Sequence, residues 1–265
     1  MNYNLYISPD FIVFLFGLCI GSFLNVCIYR MPKEKLSINN PKRSICTACG
    51  EQLHFLENIP LLSFIFLGGK CRSCKTSISL RYPIVELISA CFAVAVFLKF
   101  GFTLSGLIYF CFLSSLVVIT FIDLDYQIIP NTISLPGIII GFIASFQLPG
   151  MSVQESLLGI AFGGGVFYLI AYIFVKIRGI DGMGMGDVKL LAMLGAFLGL
   201  KGVLFIIFIS SVIGTLSGIL VMIQSRSFTL QQKIPFGPFL SIAAMLYVFW
   251  GEKLILYYVL WLRGG

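Results

Sequence analysis

Charge is scarce in this chain. Only 11% of its 265 residues are Asp, Glu, Lys or Arg, 58% are apolar, and mean hydropathy is +1.01. So little charge excludes a water-soluble globule and marks an integral membrane protein. The net charge of +7 has no soluble basic domain to carry it, which excludes a nucleic-acid-binding module. Internal repeats and low-complexity tracts are absent. Gly163-Gly-Gly165 has the look of a phosphate loop, but it lies within an apolar run with no Lys-Ser/Thr after it. Close helix packing is its better reading. No cleavable leader is evident: the first span lacks a basic flank and runs directly into Tyr29-Arg30, so it is expected to stay in the mature protein.

What is present is a series of apolar runs. A hydrocarbon core of about 30 Å needs about 18 or more apolar residues per helix. Spans are expected at 11–28, 82–98, 104–122, 133–147, 157–175, 188–200, 203–223 and 236–250. A ninth stretch, 254–262, either extends the last helix or lies in the interface, and the runs at 188 and 236 are short. The expected fold class is an all-α polytopic membrane protein, a bundle of about eight transmembrane helices. With the N-terminus outside, loops 30–81, 123–131, 176–189 and 226–233 face the cytoplasm. Fourteen of the eighteen Lys and Arg then lie inside, leaving Lys99, Lys201, Lys253 and Arg263 opposite.

Only residues 30–81 depart from membrane composition. They carry Cys46-Thr-Ala-Cys49 and Cys71-Arg-Ser-Cys74, two CxxC knuckles separated by 21 residues. Four thiolates match the tetrahedral preference of Zn²⁺, and a cytoplasmic, reducing location argues against disulfides. Gly50 permits the tight turn such a knuckle needs. The site is read as structural, since Cys46, Cys49, Cys71 and Cys74 fill the coordination shell. His54 is read as a loop residue and not a ligand, and Cys19, Cys27, Cys91 and Cys111 as small apolar residues within spans.

Carboxylates at the ends of spans call for a reason, because a charge in hydrocarbon costs several kcal/mol, about 2.5 or more. Asp123-Leu-Asp125 ends one span and Gly184-Met-Gly186-Asp187 opens another. Two carboxylates brought together share a proton, one acting as base toward water and the other as acid. Asp123 and Asp125 point about 200° apart on one helix, so one is expected to face the bundle and the other water or a loop. Gly184 and Gly186 let backbone approach a substrate closely. Asp181 is read as a solvated or capping acid, and Lys189 as a side chain reaching to the interface.

With these residues in view the chain resembles the type IV prepilin peptidases, bifunctional leader peptidases and N-methyltransferases of bacterial pilus and type II secretion systems. The resemblance rests on Gly21-Ser-Phe-Leu-Asn-Val-Cys-Ile-Tyr-Arg-Met-Pro32, the paired CxxC loop and Arg81-Tyr-Pro-Ile-Val-Glu86. It continues through Ile122-Asp-Leu-Asp-Tyr-Gln-Ile-Ile-Pro-Asn131, Gly182-Met-Gly-Met-Gly-Asp-Val-Lys-Leu190 and Ile234-Pro-Phe-Gly-Pro238. It implies Asp123 and Asp187 as the catalytic pair, with Asp125, Gly184 and Gly186 in support. It implies cleavage of a short basic leader from prepilins or pseudopilins at the cytoplasmic face of the inner membrane, then N-methylation of the new terminus with S-adenosylmethionine. The cofactor's place is implied around Gly21–Arg30, the zinc loop and Arg81–Glu86, with Arg30, Arg81 and Glu86 as its contacts, although a structural ion pair is an equal reading for Glu86. Residues 1–98 would form the methyltransferase-associated part with the zinc loop, and 99–265 the peptidase. Three competing classes are a proton-coupled transporter, a zinc-bearing scaffold and a presenilin-like intramembrane protease. The first would place its acids near the midplane, the second leaves the GxGD segment without a purpose, and the third has no reason to carry the zinc loop.

Overall fold

The computed structural model describes residues 8–33, 38, 41, 43–178, 184–225 and 235–262. Asp181, Gly182, the 226–233 segment, Ile234 and Arg263 lie outside the described residues. The elements are α1 (Pro9–Arg30), a short α2 (Leu62–Phe66), α3 (Arg81–Phe100), α4 (Leu104–Tyr126) and α5 (Asn131–Ala144). They continue as α6 (Val153–Ile160), a π-turn (Ala161–Val166), α7 (Phe167–Arg178), α8 (Met185–Ser225) and α9 (Gly237–Leu262). Two isolated antiparallel bridges are the only extended pairing among the described residues.

Local chemistry explains where these helices begin and end. Pro9 occupies the first turn of α1, where a missing N–H costs nothing, and Asp10 and Arg30 complement the two ends of its dipole. Ser152 and Glu155 cap α6 reciprocally. Gly101, at φ 65°, closes α3 in a conformation that favours glycine.

Six helices are long and apolar enough to cross a membrane: α1, α3, α4, the α6–α7 run, α8 and α9. The longest, α8, has 41 residues and would reach about 60 Å, twice the hydrocarbon thickness. It breaks at Gly199, where φ is 68° and ψ −177°, so the expected spans 188–200 and 203–223 lie one on each side. The 14-residue α5 is a shorter apolar helix. Counting α8 as two, and adding α5, gives the eight spans read from the sequence. α9 runs through Glu252-Lys253 to Leu262, so the ninth apolar stretch extends it.

The chain forms two compact units, Met1–Val118 and Ile119–Gly265, each described separately below. In the first, α1 packs along α3. A Cβ on Gly17 would lie 2.6 Å from the Ala90 Cα, and one on Gly21 2.5 Å from the Glu86 Cα. These glycines let the two backbones touch. A Gly21→Val substitution is therefore expected to cost at least about 1–3 kcal/mol by overpacking. Thermal unfolding in detergent checks this, with Ile12→Val, at an exposed position of α1, as the tolerated comparison.

In the second unit, α8 packs against α5, α6, the π-turn and α9. Its first half forms the core, with Leu190, Leu191, Met193, Leu194 and Ala196 almost fully buried. Small residues bring the neighbours close. Gly137 lies under Met193 and Gly141 under Phe197, while the Ser156 hydroxyl donates to the Ala196 carbonyl at 2.9 Å. Gly163 and Gly164 of the triple glycine serve packing, as their apolar setting implied, whereas Gly165 faces open space. A Cβ on Gly163 would lie 2.5 Å from the Leu191 carbonyl oxygen.

Candidate active site and metal centre

Within the second unit, Asp123 occupies the last turn of α4 and is only 5% exposed, whereas Asp125, two residues on, is exposed. The expectation that one acid faces the bundle and the other water holds, and Asp123 is the inward one. Its Oδ2 accepts a hydrogen bond from the Gly237 N–H at 2.9 Å. Gly237 opens α9, so this N–H is one of the donors that a helix start leaves unpaired, and the carboxylate sits at the positive end of the dipole. A Cβ on Gly237 would stand 2.7 Å from that same oxygen. Glycine is thus required for the bond to form.

Asp187 lies in the first turn of α8, half-buried, with its N–H on the Gly184 carbonyl at 3.0 Å. The fold brings both acids to Ile129, Asp123 through the glycine whose N–H it accepts and Asp187 through the glycine that precedes it. Ile129 is the spacer. A Cβ on Gly186 would meet its Cβ at 3.1 Å, and one on Gly237 would meet its Cδ1 at 3.4 Å. Gly184 leaves room for the second carboxylate, since a Cβ there would lie 3.1 Å from the Asp187 Oδ2. Lys189, read from sequence as reaching to the interface, donates to the Asn131 Oδ1 at 2.9 Å. That bond ties the turn after α4 to the start of α8.

Gly237 had no role in the sequence reading beyond membership of a motif. Its proximity to Asp123 is a contact across 114 positions, which no local signal announces. A Gly237→Ala substitution is expected to push the carboxylate aside and lower cleavage at least about tenfold, with expression intact. Gly214→Ala, facing open phenylalanine contacts at 3.5 Å, serves as the neutral comparison.

In the first unit, Cys46, Cys49, Cys71 and Cys74 place their Sγ atoms within 4.8 Å of one another. The Cys46 and Cys74 sulfurs are 3.9 Å apart. Four sulfurs about 2.3 Å from a tetrahedral Zn²⁺ stand about 3.8 Å apart, so the cluster fits that ion. The knuckles repeat one design. Cys46 N–H donates to the Glu51 carbonyl and Cys71 N–H to that of Thr76, at 2.8 and 2.9 Å. After each second cysteine the backbone turns left-handed, at Gly50 (φ 74°) and at Lys75 (φ 60°). Gly50 supplies the turn expected of it, whereas Lys75 adopts it without glycine's freedom. Thr76, through its side chain and backbone, holds the Cys74 thiol down to about 6, so this sulfur is a ready thiolate at neutral pH. His54 is exposed and starts a short turn, its N–H donating to the Glu57 Oε2.

Beside the knuckles lies a cavity of about 450 Å³, within the size range of small-molecule sites. Arg30, Arg81 and Glu86, the three residues implied for a cofactor, all line it. Two of them also hold the loop. Arg30 donates to the carbonyls of Ile38 and Pro41 at 2.8 Å and of Arg43 at 3.2 Å. Glu86 accepts from the N–H of Leu61 at 2.9 Å, a residue with φ 57°. Asn25 and Glu57 line the cavity as well; both lie in segments implied for the cofactor, but sequence reasoning gave neither a role of its own.

Two family models match the chain: the bacterial peptidase A24 N-terminal domain over residues 15–100, and the type IV leader peptidase family over residues 107–219. Among the similar proteins is the prepilin leader peptidase/N-methyltransferase of Pseudomonas aeruginosa, 37% identical over 91% of this chain and 90% of that protein. The protein of the same name from Aeromonas hydrophila is 37% identical over 94% and 93%. That from Myxococcus xanthus is 41% identical over 83% of this chain and 66% of its own. No solved structure matches. With inward acids at the ends of two apolar helices, a four-cysteine loop and these relatives, the chain belongs to the type IV leader peptidase family.

Proposed function

We infer that this protein cuts the short basic leader from prepilins or pseudopilins at the cytoplasmic face of the inner membrane and then N-methylates the exposed terminus. The observation that carries the reading is that the fold brings buried Asp123, at the end of α4, and Asp187, at the start of α8, to Ile129 through Gly237 and Gly186. The relatives' names support both activities, and the distribution of Lys and Arg supports the orientation. A cut at this mouth leaves the substrate's apolar helix in lipid and its basic leader in water.

The residues divide the work. Asp123, oriented by the Gly237 N–H at the start of α9, serves as the base. It takes a proton from the attacking water while protonated Asp187 donates to the carbonyl oxygen. Asp125, exposed beside them, supports the site electrostatically. Gly184 and Gly186 keep the approach clear of side chains.

Zinc held by Cys46, Cys49, Cys71 and Cys74 fixes the loop that walls the cavity. S-adenosylmethionine, when bound, supplies an electrophilic methyl group. Arg81 and Glu86, both lining the cavity, are the residues that would contact it, and Arg30 keeps the loop in place around it. Residues 1–98 carry methyl transfer and 99–265 carry proteolysis. Mass spectrometry of a synthetic prepilin after incubation with the purified protein and S-adenosylmethionine tests the pairing. A cut after the leader's last residue, with one methyl group added, is the expected product, and an intact substrate contradicts the reading.

A further inference from the structure

The cavity beside the metal knuckles contains a polar atom that the protein leaves without a partner. Asn25, on α1, is 4% exposed, and its Nδ2 donates to the Tyr82 carbonyl at 3.0 Å. A carbonyl accepts only from the NH₂ side of the amide, so the orientation of Asn25 is settled. Its Oδ1 is turned the other way, buried and without a hydrogen bond. Glu57, 10% exposed at its side chain, gives Oε2 to the His54 N–H at 2.8 Å. Its Oε1 is buried without a hydrogen bond and has the Arg72 Nη1 at 3.5 Å. Both residues line the same cavity.

Acceptors buried in this way are unfavourable unless something donates to them. One is neutral and one anionic, which calls for a donor-rich cation. A hard metal ion is a poor match, since it would need six or so oxygens. A primary ammonium, with three N–H bonds and one positive charge, suits an amide oxygen and a carboxylate. Arg81 on the same wall offers the complementary charge for a carboxylate. We propose that Asn25 and Glu57 form an ammonium-binding subsite of this cavity. The ammonium comes from one of two sources, the amino-acid end of the methyl donor or the new N-terminus of the cut substrate. The proposal rests on the methyltransferase reading and adds two residues to it.

Titration calorimetry on the zinc-loaded, full-length protein in detergent tests it. The probes are S-adenosylhomocysteine, its analogue lacking the amino group, and a mature-pilin N-terminal peptide with its terminus free or acetylated. Wild type is expected to prefer the amine-bearing member of one pair by at least about tenfold. A preference within the adenosyl pair assigns the subsite to the cofactor, and one within the peptide pair assigns it to the substrate. Asn25→Leu and Glu57→Gln are expected each to reduce that preference severalfold while binding the amine-free probe as wild type does. A misfolded variant would lose both probes, so loss of discrimination alone is the signature. If wild type binds the probes without discriminating, or the variants retain the full preference, the acceptors hold water only and the proposal is overturned, while the methyltransferase reading stands. If wild type binds no probe at all, that reading fails and the proposal with it.

Discussion

Asp123→Asn and Asp187→Asn each lower prepilin cleavage by about 10³-fold or more, to background in a membrane assay. Asparagine matches the shape of aspartate, and its amide oxygen still accepts the Gly237 N–H, so the loss at position 123 reports proton chemistry and not collapse. Position 187 loses the group that holds the second proton. Asp125→Asn, at an exposed carboxylate two residues from Asp123, stays within about threefold of wild type. Immunodetection of the variants and of the shortened substrate, side by side, checks all three.

Removing the metal separates the two activities. Cys46→Ser with Cys71→Ser, or a strong chelator, is expected to empty the site and to abolish methylation, with a smaller loss of cleavage. The reason is placement. Cys46, Cys71 and Arg72 line the 450 Å³ cavity, and Arg72 pairs with Glu57, another lining residue, so the knuckles and the cavity wall are one structure. Structural zinc in comparable small modules contributes about 10–16 kcal/mol of apparent binding free energy, far more than this loop could replace with its exposed side chains. The acids belong to the other compact unit, which carries no cysteine. Zinc content by elemental analysis, set beside the rates of cutting and methylation, checks the prediction. Equal losses of both activities would show that the loop serves the peptidase as much as the methyl transfer.

How much of this was readable in advance follows from the range of each interaction. The spans were legible because hydrocarbon thickness imposes a length on them, and the division of α8 showed through the Gly199–Gly202 region, where an apolar run meets Lys201. The cysteine cluster was legible because CxxC spacing encodes its own geometry. That Asp123 and Asp125 oppose each other follows from helix pitch. Which of them turns inward does not, and only the resemblance chose Asp123, now seen buried. The glycine of Gly21-Ser-Phe-Leu-Asn25 had a simpler reason than its motif implied, since it is where α1 touches Glu86 on α3. Contacts between distant positions stayed hidden. Gly237 on Asp123, Lys189 on Asn131 and the Glu86 bond to the Leu61 N–H have no local pattern, because each depends on how separate helices come to rest.

The central claim is that Asp123 and Asp187 act as one unit on a prepilin. The most direct measurement is the cleavage rate of a synthetic prepilin by purified wild type, the two single Asn variants and the double variant in proteoliposomes. Groups that share one reaction are strongly non-additive, so the double variant is predicted to be no slower than either single one. Substantial cleavage by Asp123→Asn or Asp187→Asn, or losses that multiply in the double variant, would contradict the dyad.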